Sequence, residues 1–182
     1  MKELSLNILD IVENSTKAGA DLVQVELNET EDTLEIRISD NGCGMTESTL
    51  LSVQNPFFTT RTTRKVGMGI PLFRFAAEQT GGTLTISSKH MSEHPDEHGT
   101  VVTATFNKGH IDFTPLGDIK STVLTLIQGH PNVDFVFEHN LVGDYVCLDT
   151  RELRAILDDV PLDSFEVLEW IKDNLAEQYE RV

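Results

Sequence analysis

The chain has little cysteine and no long apolar run. Its two cysteines, Cys43 and Cys147, stand far apart, without the close spacing of a metal site or a redox pair. We therefore expect reduced thiols and a cytoplasmic location. No run of about 18 apolar residues occurs, and residues 1–5 lead into a helical pattern without the apolar core of a signal peptide. We expect no membrane partner.

Basic residues are also scarce, because 14 lysines and arginines stand against 30 aspartates and glutamates and leave a formal net charge of −16 at pH 7. A chain with this charge repels nucleic acid and anionic membrane surfaces, so both are excluded as non-specific partners. A basic protein partner is compatible with the charge, although solubility alone would explain it. The 182 residues are 39% hydrophobic, which suffices for one folded domain and a sizeable extension.

A helix over residues 4–18 is predicted by apolar residues at helical spacing. Its apolar face is formed by Leu4, Ile8, Ile11 and Val12. A polar stripe on another face carries Asp10, Asn14 and Lys17 at positions i, i+4 and i+7. A carboxylate, an amide oxygen and an ammonium in one line suit a magnesium-bound phosphate chain. The solvated face of an amphipathic helix is an equally good explanation of this stretch alone.

Two pairs of strands are predicted from alternating apolar residues. The expected strands cover residues 22–27, 33–39, 83–88 and 100–106. The first two form a hairpin around a polar turn, and the last two form a second pair. Two further helices are expected, one ending at Val53 with Thr46 as its N-cap and one over residues 71–79.

The polar loop between the last two strands contains three histidines. They are His90, His94 and His98, spaced by four residues. This spacing would align three imidazoles on a helix, but Pro95 and the flanking strands argue against a helix. We therefore expect ordinary exposed histidines rather than a metal site.

A glycine-rich motif, Asp40-Asn41-Gly42-Cys43-Gly44-Met45, directly follows the second strand. Two glycines one residue apart let the backbone turn sharply and approach a flat ligand closely, while Asp40 can accept a hydrogen bond. A tight structural loop requires the same residues. A binding site and a plain turn therefore both stay open for this motif alone.

Residues 59–65 are rich in hydroxyl and cationic side chains, so we expect a surface loop. Its cations are Arg61, Arg64 and Lys65. Gly67 and Gly69 then open the helix over 71–79, and backbone N–H groups at a helix start bind phosphate. The cations of the loop can fold over the same anion. A basic surface loop without such a function is the alternative.

Taken in order, these motifs resemble the ATP-binding domain of the GHKL superfamily, which contains sensor histidine kinases, anti-sigma-factor serine kinases, type II topoisomerases, MutL and a large heat-shock chaperone. The resemblance covers about residues 4–107. It implies the histidine-kinase-like, or Bergerat, ATP-binding fold, an α+β two-layer sandwich, for residues 1–108, with ATP and Mg²⁺ as cofactors. Residues 109–182 are expected to form a small C-terminal α/β extension.

The resemblance also implies a role for each motif. Asn14 corresponds to the magnesium-binding asparagine, Lys17 to a phosphate-contacting lysine, and Asp40 to the carboxylate that accepts from the adenine amine. Residues 57–60 resemble the F box of histidine kinases, and residues 67–69 resemble their second glycine box. The expected nucleotide-binding residues are Asn14, Lys17, Asp40, Gly42, Gly44, Met45, Thr59, Thr60, Arg61, Arg64, Lys65, Val66, Gly67, Met68, Gly69 and Thr100, and Asn14 is also the expected metal ligand.

Two departures from the family pattern bear on function. Residues 1–3 alone precede the first helix, where histidine kinases carry a dimerising hairpin with the acceptor histidine, so we expect a stand-alone bacterial member without that hairpin. Asp10 stands where ATPase and serine-kinase members have a glutamate that orients or deprotonates the nucleophile, and its side chain is shorter by one methylene. We expect Asp10 to be the catalytic residue.

The kinase branch of the superfamily fits these motifs best. The implied function is transfer of phosphate from ATP to a partner protein in signalling, or hydrolysis of ATP. A non-catalytic switch is the alternative, in which ATP orders the loop at residues 59–66 and so creates a docking surface.

Beyond residue 107 the resemblance ends, and no motif indicates a second active site. The expected elements are helices at 116–128, through Leu157 with Thr150 as its N-cap, and from 164 onward, and strands at 133–137 and 145–148. Packing against the ATP-binding domain and binding of a partner are both open for this segment.

Overall fold

The computed structural model describes residues 3–54 and 69–182, and within these ranges the chain forms six helices and six strands. The helices are α1 (Leu4–Lys17), α2 (Glu47–Gln54), α3 (Gly69–Gln79), α4 (Ile119–Gly129), α5 (Thr150–Leu157) and α6 (Phe165–Glu180). The strands are β1 (Leu22–Glu29), β2 (Thr33–Asp40), β3 (Thr83–Lys89), β4 (Gly99–Asn107), β5 (Asp134–Asn140) and β6 (Tyr145–Asp149). The predicted α+β fold is confirmed.

The strands form one mixed sheet in the order β3-β4-β2-β1-β5-β6. Neighbouring strands are antiparallel except β1 and β5, which are parallel. Both predicted strand pairs, β1 with β2 and β3 with β4, are present. The register places Asp40, the last residue of β2, opposite Thr100 at the start of β4. Two motifs that are distant in sequence therefore meet where β2 ends and β4 begins.

One face of the sheet is buried against the helices. Alternate residues of β1, including Val23 and Val25, are at most 4% exposed, and they lie beside Phe135 and Phe137 of β5. The predicted apolar face of α1 lies in the same core, since Leu4, Ile8, Ile11 and Val12 are at most 3% exposed. The apolar residues that alternate along the strands therefore pack against the apolar residues spaced three to four apart along α1, and together they form one apolar layer.

Observed and predicted bounds of the elements differ by a few residues, and side-chain caps set the observed starts of two helices. Helix α4 begins at Ile119 because Asp118 is its N-cap. The predicted cap of α5 is wrong, because the Asp149 side chain accepts from the Arg151 N–H and Thr150 is the first residue of the helix. The predicted cap of α2 is confirmed, because the Thr46 hydroxyl accepts from the third N–H of the helix.

The C-terminal segment, residues 109–182, packs against the N-terminal part of the chain. Strand β5 extends the sheet beside β1, and α4 packs on α1. The backbone N–H groups of Leu4 and Ser5 also donate to carbonyls just before α4, at 2.9 and 2.8 Å. A division into domains at residue 108 stays a prediction.

Within the described ranges, none of the helices combines the length and the hydropathy that spanning a membrane requires.

Candidate functional site

A pocket of about 210 Å³ opens between α1, the end of β2, the start of β4 and the first turn of α3. Its apolar walls are Ile11, Ile38, Met45, Val53, Ile70 and Val102. Five predicted site residues line it, namely Asn14, Asp40, Gly44, Met45 and Thr100. Apolar walls with a few converging polar groups are typical of a pocket for a small organic ligand.

The Asp40 carboxylate is the most strongly hydrogen-bonded group of the pocket. Its Oδ1 accepts from the backbone N–H of Gly42 at 2.9 Å and from that of Thr100 at 3.2 Å. Its Oδ2 accepts from the Ser15 hydroxyl at 2.6 Å. A carboxylate has about four acceptor sites. Counting partners among the described residues, one site on Asp40 therefore stays available to a ligand.

The β2–α2 loop (residues 41–46) lies tightly against its neighbours. Gly44 has φ +69°, and a Cβ there would lie 1.9 Å from the Lys89 carbonyl oxygen. Gly99 has φ +135°, and a Cβ there would lie 1.9 Å from the Asp40 carbonyl oxygen. Side chains at these two positions would force the backbone apart. Glycine is therefore required where the β2–α2 loop and the start of β4 meet.

Asn14 and Lys17 lie on the exposed side of the last turns of α1. The Asn14 side chain borders the pocket, whereas the Lys17 side chain is 71% exposed and its Nζ lies 3.4 Å from Glu13 Oε2. Glu13 Oε1 also contacts His130 Nε2 at 2.8 Å. The hydrogen bond from His130 is the main cause that lowers the pKa of the Glu13 carboxyl. The contact between Lys17 and phosphate stays a prediction.

Asp10 is exposed and lies one turn before Asn14 on α1. It lies beside Gly69, the first residue of α3, because a Cβ at Gly69 would be 3.0 Å from the Asp10 Cβ. The packing of α1 against α3 thus brings the predicted catalytic carboxylate next to the predicted phosphate-binding helix start. The catalytic role of Asp10 stays a prediction.

Eight predicted site residues lie outside the described ranges. They are Thr59, Thr60, Arg61, Arg64, Lys65, Val66, Gly67 and Met68. The predicted F box at residues 57–60 and the predicted loop at residues 59–66 lie there too.

Two serines support the site, and the sequence motifs do not single them out. Ser15 continues the apolar face of α1, four residues after Ile11, and a hydroxyl on that face requires a buried partner. This signal points to a polar contact, but it does not name Asp40 as the partner. Ser88 accepts from the Met45 N–H at 2.7 Å, and its position in a strand gives no such signal.

The three histidines of the β3–β4 loop (residues 90–98) do not form a cluster. His94 is exposed, whereas His90 and His98 are half-buried. His98 Nδ1 lies 2.6 Å from the carbonyl oxygen of Gly42 in the β2–α2 loop. The expectation of exposed histidines is therefore wrong for His90 and His98, of which His98 contacts the β2–α2 loop.

The donor set of the pocket fits a magnesium ion that binds mainly to phosphate. In the part of the chain that the structure describes, no group of three or more His, Cys, Asp or Glu side chains is placed to hold a metal. Mg²⁺ in phosphate sites takes one or two protein oxygens and completes its shell with phosphate and water. Asn14 is exposed at the edge of the pocket and offers one amide oxygen of this kind, and its role as a metal ligand stays a prediction.

Residues 2–110 match the family HATPase_c, described as histidine kinase-, DNA gyrase B- and HSP90-like ATPase. The match covers more than half of the 182 residues. The chain belongs to this ATPase family. The predicted GHKL resemblance is thereby confirmed, and membership of the ATPase family implies ATP binding.

Three known proteins are similar to the chain. Sensor protein kinase FleS of Pseudomonas aeruginosa is 45% identical over 58 residues, which are 31% of this chain and 14% of FleS. The crystal structure of the N-terminal domain of a DNA repair protein has a TM-score of 0.55 and 17% identity, covering 82% of this chain and 53% of that one.

The Aquifex aeolicus MutL ATPase domain, solved in complex with ADP, has a TM-score of 0.53 and 17% identity, covering 76% of this chain and 60% of that one. At this identity the two solved structures establish the fold alone. The chain spans less than two thirds of the length of each of these three relatives.

Proposed function

We propose that the chain binds ATP in the pocket beside α1, with the adenine base between the apolar walls and the phosphates toward Asn14. The Asp40 carboxylate carries the proposal. Among the described residues, Gly42, Thr100 and Ser15 use three of its roughly four acceptor sites. The fourth site can accept from the exocyclic amine of adenine. The apolar walls of the pocket suit the flat faces of the base.

The phosphate end of the proposed site is the C-terminal half of α1. The Asn14 amide oxygen would hold Mg²⁺, which when bound neutralises phosphate charge. Lys17 follows one turn later, and its ammonium is exposed enough to leave Glu13 for a phosphate oxygen. Arg61, Arg64 and Lys65 are proposed to balance the remaining negative charge.

The proposed reaction is phosphoryl transfer to a hydroxyl of a partner protein, or to water, in a cytoplasmic signalling pathway. Asp10 would accept the proton of the attacking hydroxyl while the oxygen of that hydroxyl forms a bond to the γ-phosphorus. The bond from that phosphorus to the bridging oxygen breaks, and ADP leaves. The exposure of Asp10 and its place beside the start of α3 support this role. Similarity of a 58-residue part of the chain to a sensor protein kinase supports signalling.

Calorimetric titration with ATP and Mg²⁺ tests the adenine site. We expect Asp40→Asn to weaken ATP binding about tenfold or more, because an amide nitrogen replaces one acceptor oxygen and the hydrogen bonds to a charged group are lost. Asp96→Asn makes the same change in the exposed β3–β4 loop and is the matched control. Equal ATP affinity in Asp40→Asn and wild type would refute the contact between Asp40 and adenine.

Phosphate transfer is tested with the purified protein and with partners captured in the presence of Mg²⁺ and a non-hydrolysable ATP analogue. We expect Asp10→Asn to reduce turnover about 10²- to 10⁴-fold, the usual contribution of a general base, while ATP affinity is retained. Asp96→Asn is again the control. Wild-type protein that binds ATP but transfers no phosphate, with or without a partner, would instead support the non-catalytic switch.

A further inference from the structure

His98 lies directly before Gly99, at the end of the β3–β4 loop, and contacts the β2–α2 loop. Its Nδ1 is 2.6 Å from the carbonyl oxygen of Gly42. A carbonyl oxygen can only accept, so the hydrogen of this bond belongs to Nδ1. His98 is half-buried, and the contact joins residues that are far apart in the sequence.

The position of Gly42 matters to the pocket because Gly42 contacts Asp40. Its N–H donates to Asp40 Oδ1 at 2.9 Å, while its carbonyl accepts from His98. Gly42 is therefore held on both sides, by the carboxylate that we assign to adenine and by the imidazole. Without the imidazole, the carbonyl of Gly42 would lose its side-chain donor.

Other contacts hold the rest of the β2–α2 loop. The Asn41 side chain accepts from the backbone N–H groups of Asp21 and Leu22, and the Ser88 hydroxyl accepts from Met45 N–H. Cys43 N–H donates to the Ala18 carbonyl at 2.9 Å, and the Cys43 carbonyl accepts from Met91 N–H at 2.9 Å. These contacts do not depend on which side chain occupies position 98. A substitution of His98 is therefore expected to loosen Gly42 while the loop as a whole stays folded.

We infer that His98 is a positioning residue of the nucleotide site, which holds Gly42, and through it Asp40, in the geometry that accepts the adenine amine. This inference rests on the proposed binding of ATP. His98 acts through Gly42 and is not assigned a contact with the nucleotide. Its effect should therefore concern the binding of the adenine base. Because ATP and ADP share this base, the affinity for both should depend equally on His98.

The chain offers matched variants for a test. His98→Asn keeps a nitrogen donor two bonds from Cβ, where Nδ1 lies, whereas His98→Gln moves the donor one bond further out. His98→Ala removes the donor. His94→Ala makes the same truncation at an exposed position of the same loop and is the control.

We expect His98→Ala to weaken the binding of ATP and of ADP by the same factor, about threefold to tenfold, as for the loss of one hydrogen bond. His98→Asn should restore most of the affinity, His98→Gln should resemble His98→Ala, and His94→Ala should bind like wild type. Calorimetry gives the affinities. Thermal unfolding without nucleotide checks that each variant is folded.

A nuclear magnetic resonance measurement of the imidazole nitrogens provides a second test in the wild-type protein. We expect neutral His98 to carry its proton on Nδ1, because the contact with the Gly42 carbonyl requires a donor there. A proton on Nε2 alone would overturn the contact.

The outcomes separate this inference from the proposed function. Wild-type protein that binds ATP together with a folded His98→Ala variant of unchanged affinity would overturn the inference and leave the proposed function intact. The inference would also fall if His98→Ala weakened ATP but not ADP, since the effect would then lie at the phosphate end. Wild-type protein that binds neither nucleotide would overturn both.

Discussion

The Ser15 hydroxyl connects α1 to the carboxylate at the end of β2. Its Oγ donates to Asp40 Oδ2 at 2.6 Å, and Ser15 is only 4% exposed. A hydrogen bond to an ionised acceptor is stronger than one between neutral groups. Ser15 therefore fixes the direction of the Asp40 carboxylate.

We expect Ser15→Ala to lower the free energy of unfolding by about 1.5–3 kcal/mol, because Asp40 loses a donor to its charged oxygen. Urea unfolding followed by circular dichroism measures the change. Ser52→Ala is the control, since the Ser52 hydroxyl donates to a helix carbonyl on an exposed part of α2. That variant should differ from wild type by about 0.5 kcal/mol or less. Similar losses in both variants would contradict the expectation.

Gly44 and Gly143 both have a positive φ, of +69° and +88°, but their surroundings differ. A Cβ at Gly44 would lie 1.9 Å from the Lys89 carbonyl oxygen, whereas a Cβ at Gly143 would have no atom of the described residues within 4 Å. Gly143→Ala therefore carries only the left-handed penalty of about 1–2 kcal/mol. Gly44→Ala must also move the backbone beside the pocket.

We expect Gly44→Ala to lower the free energy of unfolding by about 1 kcal/mol or more beyond Gly143→Ala, because a backbone clash adds strain to the φ penalty. Gly44→Ala should also weaken ATP binding, which Gly143→Ala should leave unchanged. Thermal unfolding and calorimetric titration measure the two effects. The expectation fails if the two variants behave alike.

Helix α1 packs between α3 and α4, so it contacts both the pocket and the C-terminal segment. Its Glu13 lies 2.8 Å from His130, the residue that follows α4, and 3.4 Å from Lys17. Glu13, which directly precedes Asn14, is thus paired with a residue of the C-terminal segment. The fold gives the C-terminal segment a direct contact with the helix that carries the proposed metal ligand.

A double-mutant cycle of Glu13→Gln with His130→Ala is expected to give a coupling energy of about 0.5–1 kcal/mol, as for a partly exposed contact with a carboxylate. The cycle with Lys17→Ala should give less, since the Lys17 side chain is 71% exposed and that of His130 is 25% exposed. Urea unfolding of the single and double variants measures both. A larger coupling to Lys17 would contradict this expectation.

The His130 coupling should also depend on pH. The hydrogen bond from His130 is the main cause that lowers the pKa of Glu13 from its ordinary 4.5. The stabilisation from this carboxylate is therefore fully present above pH 4.5 and is lost as the pH falls through the lower folded value. Repeating the cycle at a pH well below that folded value should give a coupling near zero.

The hairpins of the sheet follow from the sequence, but the place of β5 does not. Strands β1 and β2 are neighbours in sequence, and a polar turn joins their alternating patterns, so their antiparallel pairing is predictable. Strand β5 pairs in parallel with β1 although most of the chain separates them. Alternation shows that one face of a strand is buried, but it does not name the partner.

A buried polar network connects distant parts of the whole chain. His139 of β5 is 2% exposed, and its Nε2 lies 3.1 Å from Glu29 Oε1 of β1. Its Nδ1 lies 2.7 Å from the Tyr179 hydroxyl of α6, and Lys108 Nζ donates to Glu29 Oε2 at 2.6 Å. These contacts fit a neutral imidazole that donates from Nε2 to Glu29 and accepts from Tyr179 at Nδ1.

This network should make the stability of the protein depend on pH. Burial lowers the pKa of His139 from its ordinary 6.5, and the hydrogen bond to Glu29 offsets this only in part. Below pH 6.5 the unfolded chain binds a proton that the folded chain does not bind. The free energy of unfolding should therefore fall with pH from 6.5 down to the folded pKa, by at most about 1.4 kcal/mol per pH unit.

Urea unfolding between about pH 7.5 and pH 5 measures this slope, and we expect His139→Asn to flatten it because asparagine does not titrate there. His94→Asn, at an exposed position, should leave the slope unchanged. The pKa of Glu29 is lowered although burial opposes this, because Lys108 and His139 donate to the carboxylate. The stabilisation that the Glu29 carboxylate provides is therefore lost only at pH values below 4.5, the ordinary pKa of this group. An unchanged slope in His139→Asn would contradict the role of His139.

The sequence by itself determined the ATPase family, the α+β class and five of the residues that line the pocket. Asn14, Asp40, Gly44, Met45 and Thr100 were predictable because they stand where the GHKL resemblance implies nucleotide-binding residues. Asp40 closes a strand, and glycines follow it at fixed spacing. Such information is carried by a few neighbouring residues, so it can be read without knowing which surfaces meet.

The tertiary structure alone decided the contacts that hold this pocket together. Ser15 meets Asp40, His98 meets Gly42, and His130 meets Glu13 only after α1, the β3–β4 loop and α4 have packed. A serine or a histidine gives the same sequence signal whether its side chain is solvated or donates to a distant partner. The partner is decided by the register of the strands and the packing of the helices, because a hydrogen bond forms only between atoms that the fold brings within about 3 Å.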